Sequence, residues 1–329
     1  MNIKLLILLV CIFLMSCDDP VELTSPSSTS TTDIFSSSTL EEPFAEAPNK
    51  LCDKLVTSSP TNRLEEDSVI EISGVSTGGG RIWFHNDSGS EPGVYSSNYD
   101  GSDIKFYKLN LDDILSTDFE DIAIANNNIY LADIGNNGSI ESKEVKIYKF
   151  PIPDSEIFDY EVFELKYPDG PRDAEALIVD PISEEFVIID KNYGLEILLE
   201  QFEDATIYTG QGVGSETLKK AGNINLNNLA AIAKSELPES SKAKRVSGVV
   251  TAADISADGL VIALRTYRSV WLFPRFPSQT VSEAFLNRPC EAPVNTEFQG
   301  ESVAFSEDQS GIITISEGQS PYINVIRKN

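Results

Sequence analysis

Five short stretches of this chain begin with a carboxylate and run directly into a small, apolar strand. They are Glu71-Ile72-Ser73-Gly74-Val75, Glu120-Asp121-Ile122-Ala123-Ile124, Glu175-Ala176-Leu177-Ile178-Val179, Asp254-Ile255-Ser256 and Glu301-Ser302-Val303-Ala304-Phe305. Each is followed by a turn and a second apolar strand. A strand that repeats with the same chemistry at its head suits a radial β-array, because every repeat then aims one acid at a shared axis. The leading acids recur about fifty residues apart, except for one longer interval between Glu175 and Asp254, and a four-stranded propeller blade takes roughly 40–50 residues. That longer interval holds one blade and an insertion. The expected fold is therefore all-β, a β-propeller of five blades, with six as the alternative.

Too few residues follow Glu301 to complete a blade. The missing outer strand is expected from residues 51–58, which would close the ring with an N-terminal strand and remove exposed sheet edges. Within the leading strands, side chains alternate between faces. Asp118, Glu120, Ile122 and Ile124 share one face, opposite Asp121, Ala123 and Ala125; Asp173, Glu175, Leu177 and Val179 oppose Ala176 and Ile178. Small residues suit the crowded innermost strand, and the acids at the strand starts belong at one mouth of the central channel. Only residues 227–236 read as helical, and they fall in the insertion.

Residues 1–16 read as an export signal, with Lys4 before an unbroken apolar run over residues 5–15 that is too short to span a bilayer. The run ends in Leu14-Met15-Ser16-Cys17, which resembles the lipobox of bacterial lipoproteins. That resemblance implies cleavage before Cys17 and diacylation of its thiol. Residues 17–50 are rich in Ser, Thr and Pro and bury little apolar area, so they read as a tether for a propeller over residues 51–329. The expected location is the bacterial cell envelope, lipid-anchored, periplasmic or surface-exposed, as a monomer. Cys11 leaves with the signal, and Cys52 and Cys290 remain as a pair in an exported chain, where a disulfide is the default and two buried thiols the alternative.

Among 329 residues, 52 acids stand against 25 bases, a formal net charge of −27. No basic patch survives that balance, so nucleic acid is excluded as a partner. Divalent cations and cationic or neutral ligands remain.

Glu71, Glu120, Glu175, Asp254 and Glu301 would crowd one funnel, where like charges repel by several kcal/mol at an effective dielectric near 20. Three neutralisers are open: a hard cation held by oxygen ligands, nearby bases, or retained protons. The cation would be calcium, with Glu120, Glu175, Asp254 and Glu301 as its ligands. The bases would be Lys191 and Arg265, at the ends of second strands, pairing with Glu175 and Asp254. Asp87 and Asp133 follow second strands at matching places, either as turn caps or as further oxygen ligands. His85 is the only histidine, which excludes a His-rich metal site. Beside Asp87 and Ser88 it is either a general base or a rim residue with a structural hydrogen bond. Gly210-Gln211-Gly212-Val213-Gly214 lacks the glycine spacing and lysine of a nucleotide loop, and the stretch from Asp254 to Gly259 lacks the terminal Glu of a calcium loop and reads as a β-turn.

Several phrases carry a resemblance. They are Ser73-Gly74 with His85-Asn86-Asp87-Ser88-Gly89, Phe119-Glu120-Asp121-Ile122-Ala123 with Ala132-Asp133-Ile134-Gly135-Asn136-Asn137, Asp173-Ala174-Glu175-Ala176-Leu177, Thr251-Ala252-Ala253-Asp254-Ile255-Ser256 and Gln299-Gly300-Glu301-Ser302. In this order they resemble a group of exported bacterial β-propeller lipoproteins of uncharacterised function, which implies the fold and no settled activity. More distantly, the acid-lined channel is similar to gluconolactonase-type and phytase-type propellers, which implies calcium at the axis. Two function classes follow. One is a membrane-anchored envelope module that binds a small-molecule or peptide ligand at a cation-holding channel mouth. The other is a metal-dependent hydrolase of a lactone or phosphoester, with Asp87 or His85 as the candidate base.

Overall fold

The computed structural model describes residues 49–87, 89–111, 117–136, 144–191, 204–233 and 248–329. The export signal, Cys17 and the tether up to residue 48 lie outside the described residues. No helix among the described residues is long and apolar enough to cross a membrane.

Five antiparallel sheets follow one another along the chain, and each is a blade. Blade one is Ile72–Gly78, Arg81–Asn86, Gly93–Ser97 and Lys105–Lys108, ordered from the innermost strand outward. Blade two is Phe119–Ala125, Asn128–Asp133, Val145–Pro151 and Glu161–Lys166, with Ser215–Thr217 added in parallel at its outer edge. Blade three is Ala174–Val179, Phe186–Asp190, Ala205–Gly210 and Lys219–Ile224. Blade four is Val250–Ile255, Val261–Thr266, Val270–Pro274 and Cys290–Ala292. Blade five is Ala304–Phe305, Gly311–Ile315 and Ile323–Lys328, and its outermost strand is Leu55–Thr57, paired antiparallel with Ile323–Lys328. The long interval between the third and fourth leading strands carries a helix at Leu226–Ile232, capped by Asn225, whose side chain accepts from Asn228 N.

The hydrophobic core is five wedges, one between each pair of neighbouring blades. Alternation produces them. Ala176 and Ile178 pack toward blade four while Leu177 and Val179 pack toward blade two. Bulk grows outward as the wedge widens: alanines on the inner strands give way to Tyr130, Phe186, Trp271 and Phe273 further out.

Polar groups close the centre. Asp121 is fully buried; its Oδ1 accepts from Ile122 N at 2.9 Å, and its Oδ2 from Leu177 N at 2.9 Å and Ala253 N at 3.3 Å. One carboxylate thus joins the inner strands of blades two, three and four. Burial raises its pKa, and the three N–H groups oppose that rise. Asp254 does the same for one seam, with Oδ2 accepting from Phe305 N of blade five at 2.7 Å. Thr251 donates to the Gly300 carbonyl across that same seam, and Ser73 to the Glu120 carbonyl across the seam between blades one and two.

Cys52 and Cys290 form a disulfide across 238 residues of sequence. Cys290 opens the outer strand of blade four, while Cys52 ends a short helix, Asn49–Cys52, just before the outer strand of blade five. The bridge joins these two blades at their rims. Replacing both cysteines by serine is expected to cost about 2–5 kcal/mol in denaturant unfolding, because the freed loop is nearly the whole domain. Asp121→Asn should also destabilise the protein, by about 3 kcal/mol or more, since an amide turns a donor toward backbone N–H groups that need acceptors. An Asp121→Asn variant with a wild-type unfolding midpoint would show that the axial carboxylate is not structural.

Candidate functional site

A β-bulge recurs at the same end of the inner strands. Pairing shifts by one residue between Ile72 and Gly74, Phe119 and Asp121, Ala174 and Ala176, and Val250 and Ala252. In blade five the Gly300–Ser316 bridge and the Ala304–Ile313 pair enclose the same extra residue. A bulge re-aims the inserted side chain out of strict alternation. The equivalent residues are therefore Ser73, Glu120, Glu175, Thr251 and Glu301, three acids and two hydroxyls.

This register corrects two expected site residues. Glu71 lies two positions ahead of Ser73 and is exposed, and Asp254 lies three positions beyond Thr251 in the seam with blade five. The ring is acidic over blades two, three and five only. Two positions earlier stand Asp118 and Asp173, which the sequence reading placed on the Glu120 and Glu175 faces without assigning them to the site. The repeated Asp-x-Glu of Asp118-Phe119-Glu120 and Asp173-Ala174-Glu175 was the signal for them.

Two carboxylate triads result. One oxygen each from Asp87, Asp118 and Glu120 lie within 4.8 Å of one another, and so do oxygens of Glu120, Asp173 and Glu175. Glu120 belongs to both. It is 4 % exposed, and among the described residues it takes one hydrogen bond on its side chain, from Ser73 Oγ to Oε2 at 3.4 Å. Burial first, then Glu175, Asp87 and Asp118, push its pKa well above the usual carboxylate range.

Backbone and cap groups hold the triads in place. Asp133 Oδ1 accepts from Asp118 N at 2.9 Å, so Asp133 acts as a cap that orients Asp118. Asp173 Oδ1 accepts from Asn136 N at 2.9 Å, tying the turn of blade two to blade three. Gly135 is required by close approach, because a Cβ there would collide with Glu120 Oε1 and Asp118 Oδ2.

Of the two bases, Lys191 sits where the sequence placed it, with Nζ 2.6 Å from Glu175 Oε1. Burial opposes its charge, and Glu175 more than offsets this, so its pKa is held above the ordinary lysine value. Its ammonium also lies 5.7 Å from the centre of the Tyr267 ring. Arg265 does not pair with Asp254. Its guanidinium is buried against Glu297, with Nη2 2.6 Å from Oε2, and Glu297 also accepts from Thr314 and Asn324. Gly300 makes the room, since any side chain there would strike the guanidinium. Glu297 was missed because nothing in its local sequence marks a buried acid.

His85 is not at the rim. It is 0 % exposed, packed against Gly74 and edge-on to Phe119, and its Nδ1 is 2.9 Å from the Asn86 carbonyl. Burial lowers its pKa to about 4, so the ring is neutral at physiological pH. This removes His85 as a base; Asp87 remains, inside the first triad. Ser88 lies outside the described residues.

No protein-family model matches the chain, and no curated protein sequence matches it. Solved structures similar to it in shape include a gluconolactonase from Xanthomonas campestris, at 10 % identity over 76 % of this chain and 69 % of that one, with a TM-score of 0.40. A soluble aldose sugar dehydrogenase from Escherichia coli is similar at 10 % identity over 84 % of this chain and 100 % of that one, with a TM-score of 0.46. A chain of a nidogen–laminin complex is similar at 10 % identity, over 80 % of this chain and 89 % of that one, with a TM-score of 0.39. None of these likenesses bears on the chemistry of the funnel.

Glu301 sets a pH dependence. Burial pushes it up to about 7, with Glu317 adding to the rise and Gln299 opposing it. A carboxyl that keeps its proton when folded, but releases it near 4.5 when unfolded, adds stability that is complete below that value and lost as the pH rises through about 7. With no divalent ion added, stability should therefore fall across this window, by at most about 1.4 kcal/mol per pH unit for this proton. Glu301→Gln should make the slope shallower. An unchanged slope in denaturant titrations from pH 5 to pH 8 would rule out a retained proton on Glu301.

Proposed function

We propose that this protein is a lipid-anchored propeller of the bacterial cell envelope that holds a divalent cation in its funnel and binds a small-molecule or peptide ligand there. The observation that carries this reading is the pair of triads meeting at the buried carboxylate of Glu120. Calcium is the first candidate, because it accepts six to eight oxygen ligands in irregular geometry. Asp87, Asp118 and Glu120 would supply protein oxygens on one side and leave coordination positions on the open side for a ligand. Lipidation at Cys17 would keep the domain at the membrane surface, and the tether would let the funnel meet its ligand as a single chain.

A second reading is a metal-dependent hydrolase of a lactone or phosphoester. It is favoured by Glu301, which gains and loses a proton near neutral pH and could accept one from a water bound to the ion.

Calcium should raise the melting temperature, with about 2.7 kcal/mol of stabilisation at a hundred times the dissociation constant. The Glu120→Gln, Glu175→Gln double variant should lose that response. A wild-type protein whose melting temperature ignores calcium, magnesium and manganese would remove the cation from both readings. Lactone and phosphoester turnover that disappears with chelator and with Glu301→Gln would select the hydrolase.

A further inference from the structure

A second polar group lies outside the triads, over the wedge between blades two and three. Tyr167 and Arg172 stand on the connection from the outer strand of blade two to the inner strand of blade three, and Asp190 ends the second strand of blade three. Tyr167 Oη, Arg172 Nε and Asp190 Oδ2 are buried and, among the described residues, have no hydrogen-bond partner. Asp190 is only 1 % exposed. The three groups lie together. Arg172 Nη1 is 3.8 Å from Asp190 Oδ2, too long for a hydrogen bond, and the Tyr208 ring is 4.8 Å from the Tyr167 ring and 5.9 Å from the Arg172 guanidinium. Beside them Asp169 is well supplied, accepting from Arg172 Nη2 at 2.8 Å and from the Tyr208 hydroxyl at 3.0 Å.

Blade three departs here from its neighbours. Asn86, Asp133 and Asp190 each end a second strand, opposite Ile72, Phe119 and Ala174. Asn86 Oδ1 accepts from Glu71 N at 3.4 Å and Asp133 Oδ1 from Asp118 N at 2.9 Å, so both cap the entry to an inner strand. Asp190 turns outward instead, with Oδ1 accepting from Thr206 N of the third strand at 2.6 Å. Its other oxygen is left to the connection above. Burial pushes Asp190 up to about 6, so above that pH it is mostly a carboxylate and only accepts. Burial, and then the Asp190 charge, hold the Tyr167 phenol well above its usual range, so it keeps a proton to donate.

We propose that the seam between blades two and three binds one water molecule, which accepts from Tyr167 Oη and Arg172 Nε and donates to Asp190 Oδ2. Three partners are the usual number for an internal water. A cation at this place would lie against the Arg172 guanidinium and an anion against the Asp190 carboxylate, so a neutral molecule fits. The enclosure of all three atoms limits it to the smallest one that both donates and accepts. The water takes over the cap that Asp190 does not make and ties the connection to blade three. It stands whether or not the funnel holds an ion.

A high-resolution crystal structure of the full chain is the test. One ordered water should lie about 2.7–3.2 Å from Tyr167 Oη, Arg172 Nε and Asp190 Oδ2. A direct hydrogen bond from Tyr167 to Asp190, an ion at that place, or a gap without density would overturn the proposal. Oxygen-17 magnetic relaxation dispersion counts long-lived internal waters in solution. The Tyr167→Phe, Asp190→Leu double variant should hold one fewer than the wild type, and an equal count in the folded variant would also overturn the proposal. Should that variant not fold, the wild-type density decides alone.

Discussion

Each of the five inner strands is the edge of its sheet and pairs on its outer side only, so the backbone N–H groups turned toward the axis have no partner within their own sheet. Asp121 resolves this by accepting from three blades at once, and Asp254 accepts across the seam between blades four and five. Water has little access there, so an unmet N–H would cost about 1–3 kcal/mol. The apolar wedges stabilise neighbouring blades, but these carboxylates determine how the innermost strands meet.

The bulge converts a structural repeat into a site. In an unbroken strand Glu120 would alternate with its neighbours. The extra residue lets Glu120, Glu175 and Glu301 take equivalent places while Asp118 and Asp173 flank two of them. Ser73 and Thr251 take the same place in the other two blades and, having no charge, donate across blade seams. Five acids at this level would repel without relief. Here that place is acidic in three blades and a hydroxyl in the other two, with Lys191 paired to Glu175.

The buried bases have separate tasks. Lys191 faces the funnel and answers Glu175. Arg265 pairs with Glu297, which Thr314 and Asn324 hold in place by donating to its other oxygen. His85 occupies the corresponding register on blade one and stays neutral within the core. Equivalent strand positions thus hold a neutral ring and a paired guanidinium, and neither belongs to the funnel.

Much of the architecture was legible in the chain. The acid-led repeat near fifty residues, the alternation of small and apolar side chains, and two cysteines remaining after the N-terminal segment led to five blades and a disulfide, because strand period and interval are local properties. The pairing of Lys191 with Glu175 followed from the same register. What the tertiary structure alone decided is which acids meet. A bulge displaces the register by one residue without a mark in the local sequence, so Glu71 and Asp254 looked equivalent to Glu120 and are not. Arg265 turns to Glu297, and His85 becomes core, because each outcome depends on distances between segments far apart along the chain.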